Sequence, residues 1–418
     1  MQERTTVTQP HDIVLRNANI LDTEAGTLLG EHSVLLRDGR VAEIETGAIR
    51  CDGAEEIDLK GRTLMPGLCD AHVHVTAFTA DFAKLKATSP FYVAARAAET
   101  LRGMASRGFT TVRDAGGADW GLAKAVEEGR IDGPRLLFCG HALSQTGGHG
   151  DLRGPGEDGL DQCFCCAGLG HVCDGVPEVL RAAREEIRRG ATHLKIMASG
   201  GVSSPTDRIT STQFSESELR AIVGEAEAAL IPVMAHAYTA RAINRAVRAG
   251  VTSIEHGNLL DDESVRLLNA HGATLVPTLI IYRSLVEEGE AAGLAADLVK
   301  KTWDVLDAGL VALEKAYRGG VHIAYGSDLL GQMHRRQSEE FAIRSEVVQP
   351  ADLVRQATLN AAQLFGMADR IGRVRQGFYA DLIVVDGDPL SDISCLAQPE
   401  RHILAVLKGG RFLNRRDL

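Results

Sequence analysis

The sequence predicts an α/β chain: a (β/α)8 TIM barrel carrying a small β-sandwich domain formed by both chain ends. Three observations predict it. Between residues 64 and 326, short apolar runs alternate with amphipathic stretches of three-to-four spacing, the pattern of parallel βαβ units. Before residue 64, and again after the last helical stretch, the chain reads as short strands separated by Asp-Gly and Gly-Gly turns. Its 418 residues exceed one small core and accommodate a barrel of roughly 250 residues with additions. The expected divisions are 1–65 and 372–418 for the small domain and 66–371 for the barrel.

Taken in order, strands are expected over 12–20, 33–36 and 41–44, with a turn at Asp38-Gly39. Eight barrel strands follow, over 64–71, 110–113, 135–140, 193–197, 232–236, 253–256, 273–277 and 322–326. Helices over 93–106, 177–189, 216–229, 240–249 and 262–270 place apolar residues on one face and Ala, Glu and Arg on the other, as covering helices do. A last helix spans 351–364, and strands over 381–385 and 402–408 close the chain. These pair with the N-terminal strands, because neither piece alone covers a sheet face.

Hydrophobic content of 44% and charged content of 24% are those of an ordinary globular protein, and a net charge of −11 argues against nucleic acid or an anionic membrane as partner. The N-terminus lacks an apolar targeting core, and no run approaches the roughly 18 apolar residues of a membrane span, so a cytoplasmic location is expected. Of eight cysteines, Cys163, Cys165, Cys166 and Cys173 crowd together, which is no secreted framework. With His171 they have the chemistry to ligate a structural zinc, but the spacing fits no standard knuckle and a loop of reduced thiols is the preferred reading.

The chemistry lies at the strand ends. His72-Val73-His74 follows an apolar run, and alternate residues on a strand project from one face, so two imidazoles leave the strand side by side. His236 and His256 close the fifth and sixth barrel strands, Lys195 lies in the fourth, and Asp328 follows the eighth after Gly326-Ser327. Neutral imidazoles and a carboxylate are ligands for a divalent metal, and Asp328 is also placed to accept a proton as general base. Lys195 is the odd member: an ammonium repels cations, so it either holds a substrate anion or reacts with carbon dioxide to a carbamate that bridges two metals. His141, in the stretch 141–149, and Tyr238, in His236-Ala237-Tyr238-Thr239, are donors able to polarise a scissile carbonyl, unless they serve only to order loops.

With the entry Lys60-Gly61-Arg62-Thr63-Leu64-Met65-Pro66-Gly67 and the exit at 377–389, these motifs resemble the amidohydrolase superfamily, in its branch of binuclear zinc dipeptidases with prolidase-like and arginine or lysine carboxypeptidase-like members. The resemblance covers essentially the whole chain. It implies metal ligands at His72, His74, Lys195, His236, His256 and Asp328, two zinc ions bridged by a carboxylated Lys195, a bridging hydroxide as nucleophile, and Asp328 passing its proton to the leaving amine. A homo-oligomer is expected, an octamer among its forms.

Substrate choice falls to the loops around the metals. Residues 75–78, 279–281 and 329–330 are mostly apolar, while Arg208, Arg283, Arg335 and Arg336 are candidates to pair with a terminal carboxylate. The preferred reading is hydrolysis of an amide to an apolar or cyclic C-terminal amino acid, in an Xaa-Pro dipeptide or an N-acyl amino acid. A second keeps the site and takes aryl amides, carbamates, ureas or esters, xenobiotics included. A third, from another class, is a noncatalytic metal-binding barrel.

Overall fold

The structure, a computed structural model, describes residues 12–159, 168–416 and 418. Cys163, Cys165 and Cys166 of the expected thiol cluster lie outside the described residues. The chain divides into two compact units: Met1–Cys69 with Ala105–Thr110 and Pro350–Leu418, and Asp70–Met104 with Thr111–Gln349.

The first unit begins with β1 (Ile13–Asp22), β2 (Thr27–Arg37), β3 (Arg40–Glu45), β4 (Glu55–Asp58) and β5 (Thr63–Pro66). Period-two alternation decides its two faces: Ile13 and Leu15 join one core cluster with Val34 and Leu36, while Val14 packs with Leu35 and Ile49 on the other side. A register shift after Leu15, where Asn17 takes a φ of 52°, lets the first half of β1 pair with β4 and the second with β5.

Next come β6 (Leu68–Val73) and β7 (Phe109–Asp114), whose first two residues each group with the first unit, and then, within the second, β8 (Arg135–Leu137), β9 (Ala142–Ser144), β10 (Gly170–Val172), β11 (Leu194–Met197), β12 (Val233–Thr239), β13 (Ser253–Leu259) and β14 (Thr274–Val276). They form a three-stranded sheet, β6-β7-β8, and a six-stranded parallel sheet in the order β10-β9-β11-β12-β13-β14. All residues of β6, β7 and β11 are buried, as strands covered on both faces are, polar members such as Asp70, Arg113 and Lys195 included. The expected eighth strand is instead an extended segment with one parallel bridge, Leu275 to Ile323. Its hydrogen bonds, Ala324 N–H to Leu275 O (3.0 Å) and Ala71 N–H to Tyr325 O (2.8 Å), lay it between β14 and β6.

The chain then returns to the first unit with β15 (Leu382–Val385), β16 (Ile403–Lys408) and β17 (Arg411–Arg415). Both chain ends meet where β15 pairs antiparallel with β5, so the expected sandwich is one hydrogen-bonded sheet of eight strands, β17-β16-β15-β5-β1-β2-β3 with β4 beside β1. The single run expected over 64–71 breaks at Gly67, where a Cβ would collide with the Thr110 side chain. Among the described residues no helix is long and apolar enough to cross a membrane.

Candidate metal centre

His72, at the end of β6, is oriented from behind. Its Nδ1 donates to Glu255 Oε2 at 2.8 Å, because a carboxylate only accepts. Glu255 is itself fully buried and receives Arg113 Nη2 at 3.0 Å and the Ser253 hydroxyl at 2.7 Å. Burial pushes the Glu255 carboxyl up, but the Arg113 guanidinium and His72 outweigh it and hold it at about 2. The His74 ring donates its own Nδ1 proton to Gly116 O at 3.1 Å. Both imidazoles therefore turn an Nε2 lone pair forward, the arrangement that fixes the tautomer of a metal ligand.

Asp328 meets them there: Oδ1 lies 3.2 Å from Nε2 of His72 and 3.2 Å from Nε2 of His74. Its backbone bends left-handed, with φ 57°, and its N–H donates to His72 O at 2.8 Å. Ser327, beside it, gives its hydroxyl to Asp70 at 2.6 Å, and Gln337 reaches the same buried carboxyl at 2.8 Å. Two imidazole lone pairs and an anionic oxygen thus converge within 4.8 Å, with no donor of their own to join them. Such acceptors repel one another unless a cation sits among them, so the donor set fits a divalent metal.

The remaining expected ligands line the same cavity. His256, at φ 72° in β13, has its ring centroid 5.0 Å from that of His72 and its Nδ1 2.7 Å from Thr278 Oγ1. His236 on β12 donates Nε2–H to Gly200 O at 3.1 Å, which leaves Nδ1 as its lone pair, and its ring is 4.7 Å from that of His256. Burial pushes both histidines well below their ordinary value, so they are neutral and able to ligate. Lys195, 2% exposed on β11, is likewise driven down by burial toward the free amine.

Tyr238 stands over this group, its ring 4.7 Å from His236, with its N–H anchored on Ser199 Oγ at 3.0 Å. His141 is not brought there. The strand expected over 135–140 stops at Leu137, and His141 precedes β9, where its Nδ1 bonds Glu186 Oε1 at 2.9 Å and its ring lines a separate cavity with Trp120 and Phe138. His149 lines the cavity instead, stacked on His236 with centroids 4.2 Å apart and pushed down to about 4 by burial. Its signal in the sequence is the run Gly147-Gly148-His149-Gly150, in which glycines flank one functional side chain. Glu255 and Arg113 were also missed, since Glu255 meets His72 across 183 residues and Arg113 meets Glu255 across 142.

None of the four expected arginines lines the cavity. Arg208 is exposed, Arg283 faces Glu346 at 4.0 Å, Arg335 pairs with Glu288 at 2.7 Å, and Arg336 pairs with Glu287 at 2.7 Å and Glu339 at 2.8 Å. Arg283, Arg335 and Arg336 thus face neighbouring acids and not the cavity. Of the thiol cluster, Cys173 is buried and its thiol is pushed up to about 12 by that burial, which disfavours the thiolate a metal needs.

Comparison with known proteins gives this geometry its relatives. Residues 63–413 match the Amidohydrolase family. Ochratoxinase of Aspergillus niger is 36% identical over 84% of this chain and 75% of its own length. A prolidase solved with N-methylphosphonate-L-proline is 48% identical, with a TM-score of 0.94 over 97% of this chain and 100% of its own. A Xaa-Pro dipeptidase solved with methionine in its active site is 30% identical, with a TM-score of 0.87 over 96% of this chain and 99% of its own. With acceptors gathered at strand ends and a family match over most of its length, the chain belongs to the amidohydrolase family, and its structural neighbours include prolidase and Xaa-Pro dipeptidase enzymes.

Proposed function

We propose that this chain hydrolyses the amide of a dipeptide or N-acyl amino acid whose C-terminal residue is apolar or cyclic, at a site holding two divalent ions, zinc by the chemistry of its ligands. His72, His74, His236, His256 and Asp328 would hold the ions, with Lys195 as a bridging carbamate. Bound there, the ions would polarise the amide carbonyl and lower the pKa of water. Asp328 accepts the proton of the attacking water and returns it to the leaving nitrogen. The Tyr238 hydroxyl, kept protonated because burial raises its pKa, donates to the carbonyl oxygen as charge develops on it.

The observation that carries the substrate reading is the cavity wall: Phe82, Leu152, Leu169, Ile281, Leu285 and Leu330 surround the ligands, and among the described residues Asp328 is the only acid in the lining. Such a wall buries an apolar side chain and leaves a basic one without a partner. For the substrate carboxylate it offers neutral donors. The Tyr238 and Tyr282 hydroxyls, both buried in that lining, are of this kind. Turnover of Xaa-Pro dipeptides and N-acyl amino acids by the metal-loaded enzyme is the test, and capping the carboxylate as an amide should lower kcat/KM about 10-fold or more. Equal rates for capped and free substrates would favour the second reading, a hydrolase of aryl amides and related xenobiotics, which the missing arginine and the ochratoxinase relative support.

The same proposal treats the two parallel sheets as parts of one closed (β/α)8 barrel, an idea supported by the bonds that lay residues 322–326 between β14 and β6. It keeps the cytoplasmic location expected from sequence and a homo-oligomer, the latter supported by the exposed aromatic side chains of Phe91 and Trp120. A monomer by light scattering at working concentration would remove the oligomer.

A further inference from the structure

The loop after β11 is tied down by one cation. Lys301, in the helix Ala296–Arg318, gives its ammonium to three main-chain carbonyl oxygens of that loop: Gly201 at 3.3 Å, Ser204 at 3.0 Å and Asp207 at 2.9 Å. Asp207 Oδ1 lies 3.7 Å away. An ammonium has three donors, and here all of them serve a single loop.

Asp207, its side chain 2% exposed, is the hub of that loop. One of its oxygens accepts from the Gly201 N–H at 3.2 Å and from Gln213 Nε2 at 2.9 Å, and the other accepts from the Ser204 hydroxyl. Gln213 turns its Oε1 to the His149 N–H at 2.8 Å. Because the Ser204 proton is committed to Asp207, its oxygen accepts from His149 Nδ1 at 2.7 Å. Backbone and ring of His149 therefore both hang on Asp207, each through one intermediary. The proton is fixed on Nδ1 and the lone pair on Nε2. Gly201 lies against the ring so closely that a Cβ there would collide with it. Neither Asp207 nor Lys301 lines the cavity that His149 lines. Burying the Asp207 carboxylate costs more than apolar packing of the same loop, so anchorage alone does not account for it.

We propose that Asp207 and Lys301 are positioning residues for catalysis, which fix the orientation and tautomer that His149 presents to the substrate. The proposal rests on the reading of this cavity as the amide-hydrolysing site. Lys301→Met and Asp207→Asn should each lower kcat about 10-fold or more while KM moves far less, with the bound metal unchanged. A double-mutant cycle separates positioning from general support: in a His149→Ala background, adding Lys301→Met should cost almost nothing further in kcat. An equal loss in both backgrounds, a change in KM alone, or loss of metal in either variant would overturn it. Asp207→Asn preserves the size of the residue and carries the test should Lys301→Met not fold. One arm needs no substrate: 15N NMR of the histidine rings in the metal-loaded protein should show His149 protonated at Nδ1, and Asp207→Asn should shift that signal. If the wild-type enzyme cleaves no amide, the proposed function fails, while an unchanged His149 signal in Asp207→Asn would sink the positioning role by itself.

Discussion

At the residue scale, the centre is a problem of acceptors, and each one has a donor behind it or a cation expected in front. Asp328 combines two duties, metal ligand and proton acceptor, and Asp328→Asn separates them: the amide keeps an oxygen for the metal but cannot take a proton. Turnover should be abolished while much of the metal stays bound, and a near-normal rate would place the base elsewhere. Glu255 poses the opposite case, since it touches no substrate. Glu255→Gln leaves the Arg113 guanidinium buried without its counter-charge, which should destabilise the fold by about 3 kcal/mol or more in chemical unfolding. The pH dependence follows from the sign of the shift. The folded carboxyl, held at about 2, lies below its ordinary 4.5, so its contribution is complete above pH 4.5 and is lost as pH falls toward 2. In the metal-free protein, the wild type should lose stability across that window and the Gln variant should lose less. Parallel acid curves would show that the Glu255 pair is not what titrates. Of these residues, the histidines and Asp328 were legible because each follows an apolar run. Glu255 and Arg113 were not, because a pair formed across 142 residues leaves no local pattern.

At the scale of elements, legibility followed length and burial. β11, β12 and β13 were readable because each carries short apolar stretches, such as Ile196-Met197 and Val233-Met234-Ala235, between amphipathic helical segments. The three-residue β9 and β10 are too short for any period to show, and missing them misdirected His141. The segment 322–326 has strand composition yet holds only one bridge, since its chain turns away at Gly326 to bring Asp328 back over His72. The helix Glu216–Ala228 shows its start in the sequence as Ser215 with Glu218 three residues on, and the structure forms both reciprocal bonds of that capping box. Ser215→Ala should cost about 1 kcal/mol of stability with kcat unchanged. A large loss of activity would mean that this helix start transmits to the loop bearing Asp207.

For the whole molecule, the distribution of the ligands matters more than their number. His72, His74, Lys195, His236, His256 and Asp328 all belong to the second compact unit, whose boundary at Gln349 falls short of the 371 expected from sequence because the helices Pro350–Gln356 and Leu359–Leu364 group with the first unit. A metal that binds the folded state alone stabilises by mass action, on the order of 4 kcal/mol when present at about a thousand times its dissociation constant. That free energy enters through β6, β11, β12 and β13 and has no direct ligand in the eight-stranded sheet of the first unit. Chelation should therefore abolish hydrolysis, lower the unfolding temperature and raise hydrogen exchange in β12 and β13, while β1, β2 and β5 keep their protection; restoring zinc should reverse all three changes. Local opening of this kind is expected where neutral histidines and a carboxylate face one another without their cation. Equal deprotection of β1 and β12 would show that the metal supports the chain as one cooperative body, and no change in either would show that these acceptors are stable without it.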